Sequence, residues 1–397
     1  MSVKYDFESY VDRSKTGSSK WNQMREANPD TPEGIVPLSV ADMELKNAPE
    51  IITGLREFLN IDTVSLGYTT STEAYDSAVK SWIKRRHGWD VDMNWNVLSP
   101  GIVTALFHAV RAFSEPGDGI IILSPVYYPF MMAVDVNNRT LVDVPLIIGE
   151  KHYEIDWIAL EAAAGEQRNK LLIFCSPHNP VGRVWTPEEL GRVAEICLKN
   201  NVLVLSDEIH NDLIMPGYSH TAYPLISKDA ENNCIMCTSP SKTFSIAGLQ
   251  VSNIFVPNED IRKRFRHEMM SSAQMSLGTI AYKACELAYN NCEEWLNQVI
   301  ALIAKNADLT VKYLAEHIPQ IKVYPLEGTY LQWWDCNALF DDYNEMEDFM
   351  KKKALLFFDE GYIFGDAGRG FERINLACPT WVLTDALERL KAALDAR

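Results

Sequence analysis

Four stretches of this chain share one pattern of apolar and polar positions. GIIILSP (119–125), LLIFCSP (171–177), VLVLSDE (202–208) and CIMCTSP (234–240) are short continuous apolar runs that end abruptly in Ser, Pro or Asp. Such runs suit strands buried on both faces of a parallel sheet. Helical patterns separate some of them. The clearest is TPEELGRVAEICLKNN (186–201), with Thr186 as N-cap, Pro187 at the first helical position and Glu189 completing a capping box. This alternation predicts an α/β domain. The polar residues follow the apolar runs, so they gather at the carboxyl ends of the strands, where open α/β sheets bind ligands. Lys242, in CTSPSKTF (237–244), follows the fourth run and falls on that ligand side.

Other segments fill in the frame. In STEAYDSAVKSWIKRRHG (71–88), Tyr75, Val79, Trp82 and Ile83 share one helical face, and Gly88 is a stop signal. Another helix begins in IVTALFHAVRAF, after SPG at 99–101. The stretch around 280–316 is mostly helical and is expected to lead from a large domain into a smaller C-terminal one.

Composition narrows the partners. A chain of 397 residues with 47% hydrophobic content suits one large domain plus a smaller one and argues against disorder. With 37 Lys+Arg against 54 Asp+Glu, its formal charge is −17. Such a chain repels phosphate backbones and anionic lipid, so neither nucleic acid nor a membrane is expected as partner. RKRFRH (262–267) is the one basic cluster and reads as the solvated face of a helix. The N-terminal MSVKYDFESYVDR lacks an apolar signal core, and the longest apolar runs fall far short of a bilayer span. The eight cysteines are scattered. Cys234 and Cys237 have CxxC spacing, but on a strand their side chains face opposite sides. The cysteines therefore read as small apolar residues of a reduced cytoplasm, with no metal site.

The strand ends carry the chemistry. Asn179 lies in SPHNPVG, Asp207 in SDEIH and Lys242 in SPSK. Together they resemble a pyridoxal 5'-phosphate site. That cofactor needs a lysine amine for its aldehyde and a carboxylate against its ring nitrogen. Lys242 and Asp207 suit these roles, and Asn179 suits the ring hydroxyl. Ser239 and Ser241 offer hydroxyls to the phosphate, and the helix start after Gly101 offers backbone N–H groups near 102–104. PVYYPF brings Tyr127 and Tyr128 as aromatic rings for the pyridine face.

With these motifs in order, the chain resembles the fold-type I PLP enzymes of the class I/II aminotransferase superfamily. Within it, the chain is most similar to the MalY/PatB-type carbon–sulfur β-lyases, which are cystathionine β-lyase-like. DRSKTGSSKW (12–21), LSVADMELKNAPEI (38–51), GYTTSTEAY (67–75), EGTYLQW (327–333) and RINLACP (373–379) carry the resemblance as well. It implies the aspartate aminotransferase-like fold, a large domain with a mainly parallel sheet plus a smaller α+β domain. The expected division is an N-terminal segment, 1–45, packing with the small domain, then a large PLP-binding domain, 46–290, and a small domain, 291–397.

Residue by residue, the resemblance implies that Lys242 is the Schiff-base and proton-transfer residue. Asp207 pairs with the ring nitrogen, Asn179 meets the ring hydroxyl, and Tyr127 stacks with Tyr128 beside it. Ser239 and the backbone of Val103 and Thr104 hold the phosphate. Tyr68 reaches it from the second subunit of a homodimer with composite active sites, and Arg373 clamps the substrate carboxylate. Two departures from ordinary aminotransferases stand out. His210 replaces a tyrosine three residues after the aspartate, and Gln250 replaces an arginine eight residues after the lysine. The role of His210 stays open between a site contact and a structural histidine; His108 and His178 read as structural. The implied activity is α,β-elimination from cystathionine- or cystine-type amino acids. An aminotransferase using the same lysine is the alternative, and a PLP-fold regulatory protein a further one.

Overall fold

The computed structural model describes residues 4–60, 62, 66–274 and 276–397; residues 1–3 of the N-terminal segment lie outside them. Among the described residues, the larger sheet has seven strands. They are β1 (Asn96–Ser99), β2 (Gly119–Ile122), β3 (Thr140–Asp143), β4 (Asn169–Cys175), β5 (Leu203–Asp207), β6 (Cys234–Thr238) and β7 (Ser252–Phe255). Their spatial order is β1-β7-β6-β5-β4-β2-β3. Every pairing from β3 across to β6 is parallel. β7 runs antiparallel to both β6 and β1.

The four apolar runs are β2, β4, β5 and β6, and the sheet is covered on both faces. Leu172, Phe174 and Val204 enter one core, while Leu171, Ile173 and Leu205 enter the other. Each such side chain, fully buried, contributes on the order of 1.5–3 kcal/mol. Cys234 and Cys237 fall in these opposite cores, and all eight cysteines are buried and free.

The helices follow their local signals. Thr186 and Glu189 close the capping box of helix Pro187–Lys199. Helix Glu73–His87 is capped by Thr72, buries Tyr75, Val79, Trp82 and Ile83, and stops at Gly88 with φ 73°. RKRFRH lies in helix Glu259–Ser271, with Phe265 inward and Lys263, Arg264 and Arg266 exposed. The long helical stretch divides at Cys292 into Thr279–Asn291 and Glu293–His317.

The smaller sheet comprises β8 (Lys322–Val323), β9 (Leu331–Asp335), β10 (Asp359–Glu360) and β11 (Phe371–Asn375). Its order is β8-β9-β11-β10, all antiparallel. The N-terminal segment lies along it: Leu38 N–H donates to the Phe357 carbonyl, and Asn375 N–H to that of Leu38, each at 2.9 Å. Among the described residues, no helix is long and apolar enough to cross a membrane.

Candidate active site

A cavity of about 250 Å³ opens at the carboxyl edge of the larger sheet. The strand ends line it: Gly101 after β1, Tyr127 and Tyr128 after β2, Asn179 after β4, Asp207 closing β5 and Lys242 after β6. The smaller sheet contributes Asp359 and Arg373.

Lys242 does not stand on the strand itself. It sits in a single helical turn, Pro240–Thr243, whose N-cap is Ser239. Its Nζ donates to the Ala41 carbonyl at 2.7 Å. Burial lowers its pKa to about 8, against the opposing pull of Asp42, Asp207 and Asp359. An amine near neutrality is the form that can act as nucleophile and base at cellular pH.

Asp207 is buried, and register sets its surroundings. Cys175 on β4 and Cys237 on β6 are its cross-strand partners, so apolar thiols flank the carboxylate. Burial raises its pKa to about 7, although its Oδ1 accepts from the Ile209 N–H at 3.2 Å. A cationic ligand atom beside it would reverse that shift.

Arg373 is buried with its charge compensated. Its Nη1 donates to Asn179 Oδ1 at 2.8 Å and its Nη2 to Asp359 Oδ2 at 2.6 Å. Its guanidinium lies 4.6 Å from the centre of the Phe364 ring, and its Nε has no partner. Asp359 also accepts from the Val40 N–H at 2.8 Å. Val40 is β-branched yet has φ 49°, a strained backbone of the kind that gathers at functional sites.

The remaining candidates divide. Tyr127 is half-buried and Tyr128 is 40% exposed, their rings 5.4 Å apart, and both line the cavity. His210 also lines it. Burial and the charges of Lys242 and Arg373 push its pKa well down, so the ring is neutral, and its Nδ1 has no partner. His178 Nε2 donates to the Pro125 carbonyl, 2.9 Å away, and His108 contacts Arg111 at 2.7 Å. Val103 and Thr104 line the cavity at the start of helix Ile102–Phe113. Gly101 precedes them with φ 94° and offers no side-chain cap, leaving that helix start open to an anion. Ser241 lines the cavity, whereas Ser239 lies behind it, its hydroxyl donating to the Val251 carbonyl at 2.6 Å. Tyr68 is fully exposed and outside the cavity.

Sequence reasoning missed three contributors: Asp359, the Val40–Ala41 backbone and Ser252. The hydroxyl of Ser252 is buried, unpartnered and on the cavity wall. A carboxylate inside FFDEG (357–361) was the only signal for Asp359. The donor set fits pyridoxal 5'-phosphate. A buried carboxylate awaits a cation, an amine stands near neutrality, and an open helix start and an orphaned hydroxyl can take a phosphate.

Comparison with known proteins agrees. Residues 33–390 match the family described as aminotransferase class I and II. Cystathionine beta-lyase PatB of Bacillus subtilis (strain 168) is 38% identical over 390 residues, covering 98% of this chain and 100% of that protein. The crystal structure of cystalysin from Treponema denticola, which contains pyridoxal 5'-phosphate, is 48% identical with a TM-score of 0.97, covering 99% and 100% of the two chains. The PLP-bound C-S lyase of Staphylococcus hominis, complexed with the inhibitor L-cycloserine, is 31% identical with a TM-score of 0.91, covering 99% and 98%. On its sequence and on its fold alike, the chain belongs to the class I and II aminotransferase family.

Proposed function

We propose that this protein is a PLP-dependent carbon–sulfur β-lyase that cleaves cystathionine- or cystine-type amino acids to a thiol, pyruvate and ammonia. The observation that carries the reading is an end-to-end match to PatB, at 38% identity, in a chain that places Lys242, Asp207 and Arg373 around one cavity. When bound, the cofactor supplies an electron sink for the bond electrons released at the substrate Cα.

The protein's own residues do the rest. Arg373, held by Asn179 and Asp359, fixes the substrate carboxylate and so the direction of the Cα–H bond. Lys242 Nζ, near neutrality, takes the Cα proton. Asp207 would hold the ring nitrogen of the cofactor, and Tyr127 would pack against its ring. The Cβ–S bond then breaks with its electron pair leaving on sulfur. Water hydrolyses the remaining enamine to pyruvate and ammonia.

The same reading includes a homodimer in which Tyr68, exposed here, completes the partner's site. It also includes a cytoplasmic setting and the division into segments 1–45, 46–290 and 291–397. The test is turnover of L-cystathionine with no keto acid present, followed as pyruvate and free thiol. Many turnovers per protein support elimination. A requirement for a keto acid, with no pyruvate from cystathionine, would replace it with transamination.

A further inference from the structure

Residues 40–47 form a strap that is hydrogen-bonded both to the chain around Lys242 and to the smaller sheet. On the lysine side, Asn47 Nδ2 donates to the carbonyls of Phe244 and Ser245 at 3.0 and 2.9 Å. The Ser245 hydroxyl donates to Asp42 Oδ1 at 3.0 Å and accepts from the Met43 N–H at 3.1 Å. On the sheet side, Asn375 Nδ2 donates to the carbonyls of Val40 and Asp42 at 2.8 and 2.9 Å. The Glu44 N–H donates to the Ala377 carbonyl at 2.9 Å. Ala41 lies among these fastenings, and its carbonyl accepts from Lys242 Nζ.

The strap is held under strain. Val40, just before Ala41, and Ser245, three residues after Lys242, have φ 49° and 52°. Neither is glycine, so each conformation costs free energy that the surrounding bonds offset. The hydroxyl that bridges Asp42 and Met43 stands on one of these strained residues. Asp42 is fixed from its other side as well, because its Oδ2 pairs with Arg13. Arg13 and the buried Lys20 both meet Glu44, and Lys20 Nζ donates to the Asp42 carbonyl at 2.8 Å.

The Ala41 carbonyl can only accept, and this separates two states of Lys242. A free amine offers two or three N–H groups. A nitrogen joined to the cofactor aldehyde by a double bond keeps at most one. The carbonyl therefore favours the free amine, and above all its charged form. That state arises whenever the substrate amine takes over the aldehyde carbon. The bond from that carbon to Nζ breaks, its electron pair stays on Nζ, and the protons of the substrate amine pass to it. The charges facing Nζ are Asp42 on the strap, Asp207 closing β5, and Asp359 and Arg373 of the smaller sheet, with the neutral His210 nearby. Burial opposes the charged amine, and of the three carboxylates Asp42 pulls hardest the other way.

We infer that Asp42 and Ser245 are positioning residues. They latch the strap to the lysine turn, so that the Ala41 carbonyl receives the Lys242 amine when the substrate displaces it. This deepens the lyase reading and rests on its assignment of Lys242.

The test uses Asp42→Asn, which removes the charge but keeps an oxygen for Ser245, and Ser245→Ala, which removes the bridge. Either serves if the other fails to fold. In the cofactor-free protein, trace labelling with acetic anhydride across a pH series, read on the Lys242 peptide by mass spectrometry, gives the titration midpoint of the amine. The midpoint should fall by about 0.5 pH unit or more, because the charged amine loses support. The cofactor dissociation constant, titrated by absorbance, should hold or tighten, because the weakened state is the one that competes with cofactor attachment. A merely structural role predicts the reverse: weaker cofactor binding with the midpoint unmoved. An unmoved midpoint, or a loss of cofactor affinity, would overturn the latch. Neither readout needs turnover, so that failure leaves the lyase reading standing. The lyase reading fails separately, by the absence of pyruvate from L-cystathionine.

Discussion

Asp359 and Arg373 face each other across two strands of the smaller sheet, with Oδ2 and Nη2 2.6 Å apart. Arg373 is buried and Asp359 only partly exposed, so each charge depends on the other. The same carboxylate accepts from Val40 N–H, tying the arginine to the N-terminal segment whose Ala41 carbonyl holds Lys242.

Asp359→Asn should therefore loosen the substrate clamp without touching the cofactor's contacts. We expect kcat/KM for L-cystathionine to fall about 10- to 100-fold, equivalent to roughly 1.4–2.8 kcal/mol. The cofactor dissociation constant, titrated by absorbance, should hold steady. An unchanged kcat/KM would show that Arg373 needs no such partner.

Asp207 predicts a stability change with a definite sign. Burial raises its pKa to about 7 in the cofactor-free fold, from an ordinary 3.8. The folded protein thus binds this proton more tightly than the unfolded chain. That contribution is complete below about pH 4 and is lost as pH climbs through about 7. Asp207→Asn should therefore raise the Tm of the cofactor-free protein at about pH 8 and leave it unchanged at about pH 4, while weakening cofactor binding. Calorimetry at the two pH values checks it; a lower Tm at the higher pH contradicts it.

Ser252 combines two opposite effects in one hydroxyl. Buried without a partner, it costs the cofactor-free protein stability. If it meets the phosphate, Ser252→Ala should weaken cofactor binding by about 2- to 12-fold, from a hydrogen bond of roughly 0.5–1.5 kcal/mol. The cofactor-free Tm should hold or rise. Unaltered affinity would remove Ser252 from the phosphate site.

Tyr68 has no role within its own chain's cavity, and it is fully exposed. Light scattering should give a dimer. Co-expressed Tyr68→Phe and Lys242→Ala chains should form heterodimers in which one site keeps both side chains, with activity above either variant alone. A monomer at working concentration would end the composite-site proposal.

The legible part of the site was the part set locally. Asp207, Asn179 and Lys242 follow directly from apolar runs that stop, because where a buried strand ends is written in neighbouring residues. What was not legible depends on pairing at a distance. Asp359 meets Arg373 only through the register of two short strands. Ala41 meets Lys242 across 201 positions of sequence. Ser252 reaches the ligand edge because β7 runs antiparallel, so its first residue lies where its neighbour β6 ends. An apolar run does not state its direction. Ser239 shows the converse: its place beside Lys242 was plain, but its hydroxyl turns inward to Val251.

That Lys242 carries the cofactor is the claim on which the rest depends. Borohydride reduction of the cofactor-loaded protein, followed by peptide mass spectrometry, tests it most directly. The pyridoxyl group should be found on Lys242, and Lys242→Ala should lose both the adduct and pyruvate formation. An adduct on a different lysine, or a Lys242→Ala variant that still turns over cystathionine, would contradict it.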